Sequence, residues 1–147
     1  MLKIHAPMMD LIEQYIDKNH FGNFLGMHFN ILSPGVVAYR LVIHEKHLAT
    51  PSFAHGGVLT ALIDACMGVG ALSLVSEEWK VVSTLECKVS FLQAVRQGSE
   101  LRAVSNVVRK GRSIVFMEAE VWRDDDLVAK GSGTFRVFSA EKAGYII

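Results

Sequence analysis

The stretch AHGGVLTALIDACMGVGALSL, from Ala54 to Leu74, decides the fold, because it is almost wholly apolar or small with one carboxylate, Asp64, at its middle. A helical wheel, which advances about 100° per residue, divides it into two arcs. Bulky side chains gather on one arc: Val58, Leu59, Leu62, Ile63, Cys66 and Val69. Small side chains surround Asp64 on the other: Gly57, Thr60, Ala61, Gly68 and Ala71. Neither arc carries the polar side chains of a solvent-exposed helix face, so the pattern predicts a buried helix. Its bulky arc should pack on a sheet, and its small arc should let another part of the structure or a ligand come close to the helix backbone.

A membrane span is the main alternative for this stretch, because its length would cross a bilayer. Asp64 would then lie mid-bilayer at a cost of about 2.5–3.5 kcal/mol, and no Lys or Arg closely flanks the segment. The rest of the chain also reads as amphipathic strands that need this helix as their core. We therefore expect no membrane insertion.

The flanking sequence predicts a short helix and a long antiparallel sheet. Residues 1–20 carry apolar side chains at helical spacing, and residues 24–43 read as a hairpin turned at Ser33-Pro34-Gly35. After Glu77 the apolar period becomes two, and four strands are predicted over residues 81–93, 99–110, 112–123 and 126–138. The alternation puts Leu85, Cys87, Val89 and Phe91 on one face of the first of these, and Val115, Met117, Ala119 and Val121 on one face of the third. The predicted fold class is α+β, with about five or six antiparallel strands wrapped around one central buried helix.

The composition fits a single domain over residues 1–147, because half of the residues are hydrophobic. Lys and Arg balance Asp and Glu at 15 each, so charge gives no reason to expect a nucleic-acid partner. High hydrophobicity with little charge favours an oligomer. Cys66 and Cys87 lie in apolar segments without a C-x-x-C motif, which indicates reduced thiols. Acids at the N-terminus, Asp10, Glu13 and Asp17, argue against an export signal, so a cytoplasmic protein is expected.

Five segments in order carry a family resemblance: FLGMHFNILSPG, HGGVLTALIDACMG, TLECKVSFLQAVRQG, VVRKGR and GSGTF. The most specific feature is an H-G-G followed, nine residues after the histidine, by an acid on a helix. On these motifs the chain resembles the hotdog-fold acyl-CoA thioesterases of the PaaI-like, phenylacetate-pathway-type group. The resemblance implies a hotdog core over residues 24–138 and a homodimer joined edge to edge, often doubled to a homotetramer. It also implies an active site at the dimer interface, with the acid from one subunit and the H-G-G turn from the other.

Asp64 is the first candidate catalytic residue. A buried acid is usually paired with a base, but the predicted helix carries no Lys or Arg. The alternative is a carboxylate that attacks a thioester carbonyl, or that deprotonates the water that does so. Partial desolvation makes a carboxylate more basic, which suits either role, and the sequence leaves both open.

Gly56 and Gly57 begin the helix, where they can serve as a permissive turn or can leave backbone N–H groups uncovered. Such donors, with the helix dipole, can polarise a carbonyl and hold a developing oxyanion. The resemblance assigns that role to the amide of Gly56. It also implies that His55 helps to orient the thioester, although a histidine at a helix start can simply cap it.

Thr84 aligns with a hydroxyl residue that the family uses near the attacking water, although threonine is also an ordinary strand residue. The chain departs from the family at Ala49, six residues before His55, where relatives carry Asn or Gln against the substrate carbonyl or the water. The loop from Leu48 to Ala54 contains no amide side chain, so Ser52 or Thr84 would have to take over that contact.

Three cations around one glycine, Arg109, Lys110 and Arg112, read either as a solvated hairpin turn or as a site for the phosphates of coenzyme A. The family often binds the nucleotide near this turn. His44 and His47 lack a third ligand, so no metal is assigned. No cofactor is expected beyond the coenzyme A of the substrate.

Three functions follow from these residues. The leading prediction is an acyl-CoA thioesterase acting on a medium, long or aromatic acyl group. The second is a hotdog hydratase or dehydratase for acyl thioesters, with His55 and Asp64 as an acid–base pair. The third is a non-catalytic module that binds or senses acyl-CoA, which the missing amide at Ala49 favours.

Overall fold

The structure, a computed structural model, describes residues 6–146 of the chain. Residues 1–5, which begin the predicted segment 1–20, and residue 147 lie outside the described part. Its helices are α1 (Ala6–Lys18), α2 (His20–Leu25) and α3 (Gly56–Val75). Its strands are β1 (His28–Ser33), β2 (Val36–Val42), β3 (Lys80–Phe91), β4 (Glu100–Lys110), β5 (Ile114–Arg123) and β6 (Asp126–Ser139). Each predicted strand is present within a few residues of its expected bounds.

The six strands form one antiparallel sheet in the order β1-β2-β4-β5-β6-β3, and α3 packs against all of them. The hairpins β1–β2, β4–β5 and β5–β6 join neighbours, whereas the chain crosses from β2 through α3 to the far edge of the sheet. This arrangement confirms the predicted α+β fold with one central helix. It leaves β3 as an edge strand beside the helix that carries Asp64.

The bulky arc of α3 forms the core, as predicted. Every member of that arc is buried, and Leu62, Ile63 and Cys66 are 0% exposed. The inward face of β5 is buried against it: Val115, Met117, Ala119 and Val121. Each of the larger aliphatic side chains among them contributes roughly 1.5–3 kcal/mol by leaving water. The helix is long and apolar enough to cross a membrane, but most of its length lies inside the sheet.

Three local predictions are wrong, each for a physical reason. Leu85 was expected to share a face with Cys87 and Val89, but it is the unpaired residue of a β-bulge between Thr84 and Glu86 and is 58% exposed. Phe24 was expected to open the first hairpin, but it belongs to α2, which Gly26 ends with a left-handed φ of 81°. Ala71 was expected on the approachable arc, but it is fully buried in the core near the end of α3.

The two ends of the described chain pack together beside the end of α3. A second apolar cluster joins α1, α3, the start of β3 and the turn after β6 through Leu11, Ile12, Leu72, Val81 and Ala140. Tyr15 and Tyr145 pack at its edge. These terminal segments therefore lie over the same side of α3 as Asp64.

Candidate active site

The start of α3 presents one backbone N–H with no protein partner. The ring of His55 caps the helix, because its Nδ1 accepts a hydrogen bond from the Gly57 N–H at 2.7 Å. The His55 carbonyl accepts from the Val58 N–H at 3.1 Å. Within residues 6–146, no acceptor reaches the Gly56 N–H. This amide is therefore free to bind an oxygen at the positive end of a long helix dipole.

The loop before α3 is held by His47, which is 3% exposed. Its Nδ1 accepts from the His44 N–H at 2.9 Å and its Nε2 lies 2.8 Å from the Leu25 carbonyl oxygen. Because Nδ1 accepts, the ring proton is on Nε2, which donates to Leu25. The His47 carbonyl in turn accepts from the His55 N–H at 2.8 Å. The chain thereby ties the end of α2 to the H-G-G turn through one neutral imidazole.

The buried His47 is expected to make the folded protein less stable in acid. Burial lowers the pKa of His47 from its ordinary value of 6.5, so the folded protein favours the neutral ring. The stabilisation is present above the ordinary pKa and is lost as the pH falls through the lowered folded value. We expect thermal unfolding between pH 7 and pH 5 to depend less on pH in His47→Gln than in the wild type. A comparison with the exposed His28→Gln controls for removal of a histidine, and equal pH dependence in all three proteins would contradict the prediction.

The same hydrogen bonds bear on metal binding. Both ring nitrogens of His47 are engaged with backbone groups, so neither is available as a ligand. In the part of the chain that the structure describes, no three His, Cys, Asp or Glu side chains gather into a ligand set. The pair His44 and His47 therefore supports the H-G-G turn.

Asp64 lies half-buried on α3 and is held by β3. Its Oδ1 accepts a hydrogen bond from the Thr84 hydroxyl at 2.7 Å, just before the β-bulge of the edge strand. Over residues 6–146 its carboxylate forms no salt bridge. The alternative in which this acid is paired with a base therefore has no counterpart among the described residues. A fixed carboxylate without a basic partner retains its capacity to accept a proton or attack a carbon.

Asp64 and Thr84 lie on the wall of a cleft of about 290 Å³. The other lining residues are mainly apolar: Tyr15, Ala65, Gly68, Leu72, Val81, Val82, Phe135, Ala143 and Tyr145. Burial raises the pKa of Tyr15, and the negative charge of Asp64 raises it further. Burial likewise raises the pKa of the Cys87 thiol, again with a contribution from the charge of Asp64. The carboxylate therefore faces an apolar cleft with a phenol on its wall.

Several candidate residues lie apart within one chain. Gly56 and Asp64 are eight residues apart on the same helix, which separates them by about 12 Å along its axis. His55 lies further still from Asp64. The exposed cations Arg109, Lys110 and Arg112 are at the β4–β5 hairpin. One chain thus places the free amide and the carboxylate too far apart to act on one carbonyl group.

The loop around Ala49 and Ser52 is held by backbone contacts. The Ala49 N–H donates to the Phe53 carbonyl at 3.0 Å, and the Ser52 carbonyl accepts from the Gln97 N–H at 3.1 Å. Ser52 is exposed, and its hydroxyl is free to face solvent or a ligand. No amide side chain occupies this loop, as its sequence dictates.

The sequence pattern did not reveal the roles of three residues at or near the site. Tyr15 read as one apolar position of an amphipathic helix, and Tyr145 follows the last predicted strand, where no periodicity marks it. His47 read as a weak metal ligand, but its role in the fold comes from burial and backbone contacts. For Tyr15 the available signal was its helical spacing with Leu11 and Ile12, whereas nothing in the sequence marked Tyr145.

Comparisons with known proteins identify the family and the fold. A family model described as the thioesterase superfamily matches residues 52–130, which is more than half of the chain. A Pseudomonas aeruginosa protein that carries a provisional esterase name, PA0474, is 32% identical over 102 residues, covering 69% of this chain and 74% of that protein.

Solved structures show the same fold. The conserved protein PA5202 of Pseudomonas aeruginosa is 35% identical, covers 81% of this chain and 94% of its own, and superposes with a TM-score of 0.76. The PaaI protein of Escherichia coli, from the phenylacetic acid degradation operon, is 17% identical. The match covers 90% of this chain and 94% of the PaaI chain, with a TM-score of 0.82. The chain belongs to the thioesterase superfamily, with the hotdog fold of its PaaI-like members.

Proposed function

We propose that the protein hydrolyses acyl-CoA thioesters to a free acid and coenzyme A. Membership of the thioesterase superfamily supports thioester hydrolysis in general. The observation that carries the proposal is Asp64, an acid without a basic partner among residues 6–146, oriented by Thr84 at an apolar cleft. An acyl group would enter the cleft and bring its thioester carbonyl to the carboxylate.

The carboxylate would act in one of two ways. It attacks the carbonyl carbon to form an acyl anhydride that water then cleaves, or it takes a proton from the water that attacks. In either case the C–S bond breaks, the thiolate of coenzyme A leaves and is protonated, and the acyl group leaves as a carboxylic acid. The Gly56 N–H would donate to the carbonyl oxygen as negative charge develops there. This chemistry requires no metal or organic cofactor.

The distance between Gly56 and Asp64 implies two copies of the chain at each site. About 12 Å of helix separates them within one chain, so the Gly56 amide of a second copy would meet the carboxylate of the first. The edge strand β3 offers unpaired backbone groups for that association beside Asp64. We accordingly infer a homodimer, with a dimer of dimers as the larger assembly, in the reducing cytoplasm that two free thiols suit.

The substrate's coenzyme A portion would extend along the surface. Arg109, Lys110 and Arg112 supply three exposed cations on one hairpin, which suits the phosphates of the nucleotide. The ring of His55 uses Nδ1 to cap α3, so its Nε2 remains to contact the thioester region. Gly57 and Ser52 border the same turn and would contact the substrate there.

The experiment is a measurement of thiol release from a panel of acyl-CoAs of different length, including an aromatic one. We expect turnover of at least one class. Release of no thiol from any of them would contradict the proposal. Loss of enoyl absorbance without thiol release would instead identify a hydratase.

A second candidate is an acyl-CoA-binding module without turnover, which one observation favours. The loop before H-G-G carries Ala49 where relatives have an amide side chain, and its backbone N–H is used by Phe53. The amide side chain that positions the water in relatives is therefore absent from that loop. Tight acyl-CoA binding by calorimetry, together with no thiol release, would support this candidate over hydrolysis.

A further inference from the structure

We propose that α1 and the segment after β6 set the size of the acyl group, because they form the outer wall of the cleft beside Asp64. This inference rests on the proposed function and adds the residues that determine acyl specificity. The wall consists of Tyr15 from α1 with Ala143 and Tyr145 from the segment after β6. It faces the small-residue side of α3.

The cleft has a mouth and a floor. Asp64 is half-buried and Thr84 is exposed, which places them at the mouth. Leu72, Val81 and Phe135 are 4%, 4% and 1% exposed, which places them at the floor. An acyl chain bound at Asp64 would therefore extend toward Leu72, along a strip of α3 where Ala65 and Gly68 leave room for it.

A pair of hydrogen bonds clasps the wall in place. The Gln14 side-chain Nε2 donates to the Ile146 carbonyl at 2.6 Å, and the Ile146 N–H donates to Gln14 Oε1 at 3.1 Å. The clasp joins the residue before Tyr15 to the residue after Tyr145. Both tyrosines are thus held at the cleft by one side chain, and burial raises the pKa of each phenol.

The volume of the cleft defines the class of acyl group. A cavity of about 150 Å³ holds a benzene molecule, so the cleft of about 290 Å³ accommodates a substituted ring or a medium-length chain. A palmitoyl chain would extend past the wall. The wall therefore favours medium or aromatic acyl groups over long ones.

Two variants should change the cleft in opposite directions. Tyr145→Ala removes a ring from the wall and should raise the ratio of kcat/KM for palmitoyl-CoA to that for octanoyl-CoA by about 10-fold or more. Gly68→Ala adds a methyl group to the inner side, where it meets only the Phe135 ring at an ordinary 3.6 Å. It should lower kcat/KM for the larger acyl groups about 10-fold while helix propensity keeps the fold intact.

Matched variants separate a change in acyl-length specificity from a general loss of activity. Gln14→Ala should shift the acyl profile in the direction of Tyr145→Ala, and Tyr145→Phe should keep the wild-type profile. Lys142→Ala, an exposed change on the same segment, is the control. Equal loss against every acyl length in Tyr145→Ala would indicate a merely structural role and would overturn the inference.

The readout distinguishes this inference from the proposed function. If the wild type hydrolyses acyl-CoAs but the ratio of kcat/KM for palmitoyl-CoA to that for octanoyl-CoA is unchanged in Tyr145→Ala and Gly68→Ala, the inference fails and the proposed function stands. If the wild type hydrolyses none, calorimetric Kd values for octanoyl-CoA and palmitoyl-CoA replace kcat/KM. Opposite shifts of the Kd ratio for the two acyl-CoAs in Tyr145→Ala and Gly68→Ala would then support the inference, and unchanged Kd ratios would overturn it.

Discussion

Asp64→Asn is expected to lower kcat for acyl-CoA hydrolysis by about 10²–10⁴-fold, because the amide can neither attack a carbonyl nor accept a proton from water. The amide matches the carboxylate in shape and its oxygen can still accept the Thr84 hydrogen bond. Asp64 also forms no salt bridge with the described residues 6–146, so its charge is not needed to neutralise a base. We therefore expect thermal unfolding close to that of the wild type.

The control for this variant is Glu86→Gln, which removes an exposed carboxylate two residues after Thr84 on the same strand. Steady-state thiol release gives kcat, and thermal unfolding reports stability. A variant Asp64→Asn with kcat within about 3-fold of Glu86→Gln would remove Asp64 from the chemistry, since a catalytic acid or base contributes far more. Loss of activity together with a large fall in Tm would assign it a structural role.

The second large effect is expected at Gly56, where a pair of variants tests one backbone N–H. Gly56→Pro removes the donor and should lower kcat by about 10²–10³-fold, as loss of an oxyanion-hole donor does. Proline is well tolerated at the first residue of a helix, where its missing N–H breaks no helical bond. The preceding residue, His55, already has φ −67° and ψ 136°, the extended conformation that proline requires of its neighbour.

Gly56→Ala is the matched control, because it adds a Cβ and keeps the N–H. That Cβ would lie 3.3 Å from the Phe91 ring, and Phe91 is 53% exposed, so the ring has room to shift. We expect Gly56→Ala to retain most of the activity and Gly56→Pro to lose it. Equal kcat values in the two variants would show that the free amide has no part in catalysis.

The strand pattern and the central helix could be predicted from sequence because they depend on periodicity. The apolar period of two in β5 is satisfied only by a strand, and the two arcs of α3 only by a helix, if the bulky side chains are to share a buried face. The errors arose where local geometry interrupts a period. A bulge turned Leu85 outward, and a glycine cap at Gly26 ended a helix that the hairpin pattern did not contain.

The candidate site likewise has features that the sequence predicts and features that only the structure reveals. An acid at the middle of the most apolar helix, and two glycines at its start, are visible in the printed chain. The resemblance pointed to Thr84 as a site residue but not to its hydrogen bond with Asp64, and nothing in the sequence pointed to the wall formed by Tyr15 and Tyr145. Side chains more than 100 residues apart in sequence meet there, and no local pattern encodes such a contact.

The sequence by itself determined that Asp64 centres a helix that must be buried, because no other arrangement covers its apolar surface. Only the tertiary structure decided what that acid meets. The sheet order places β3 beside α3, which brings the Thr84 hydroxyl to 2.7 Å, and the Gln14 clasp brings the C-terminal segment over the cleft. The physical reason is that burial follows from local apolar periodicity, whereas the neighbours of a buried group depend on which distant segments pack together.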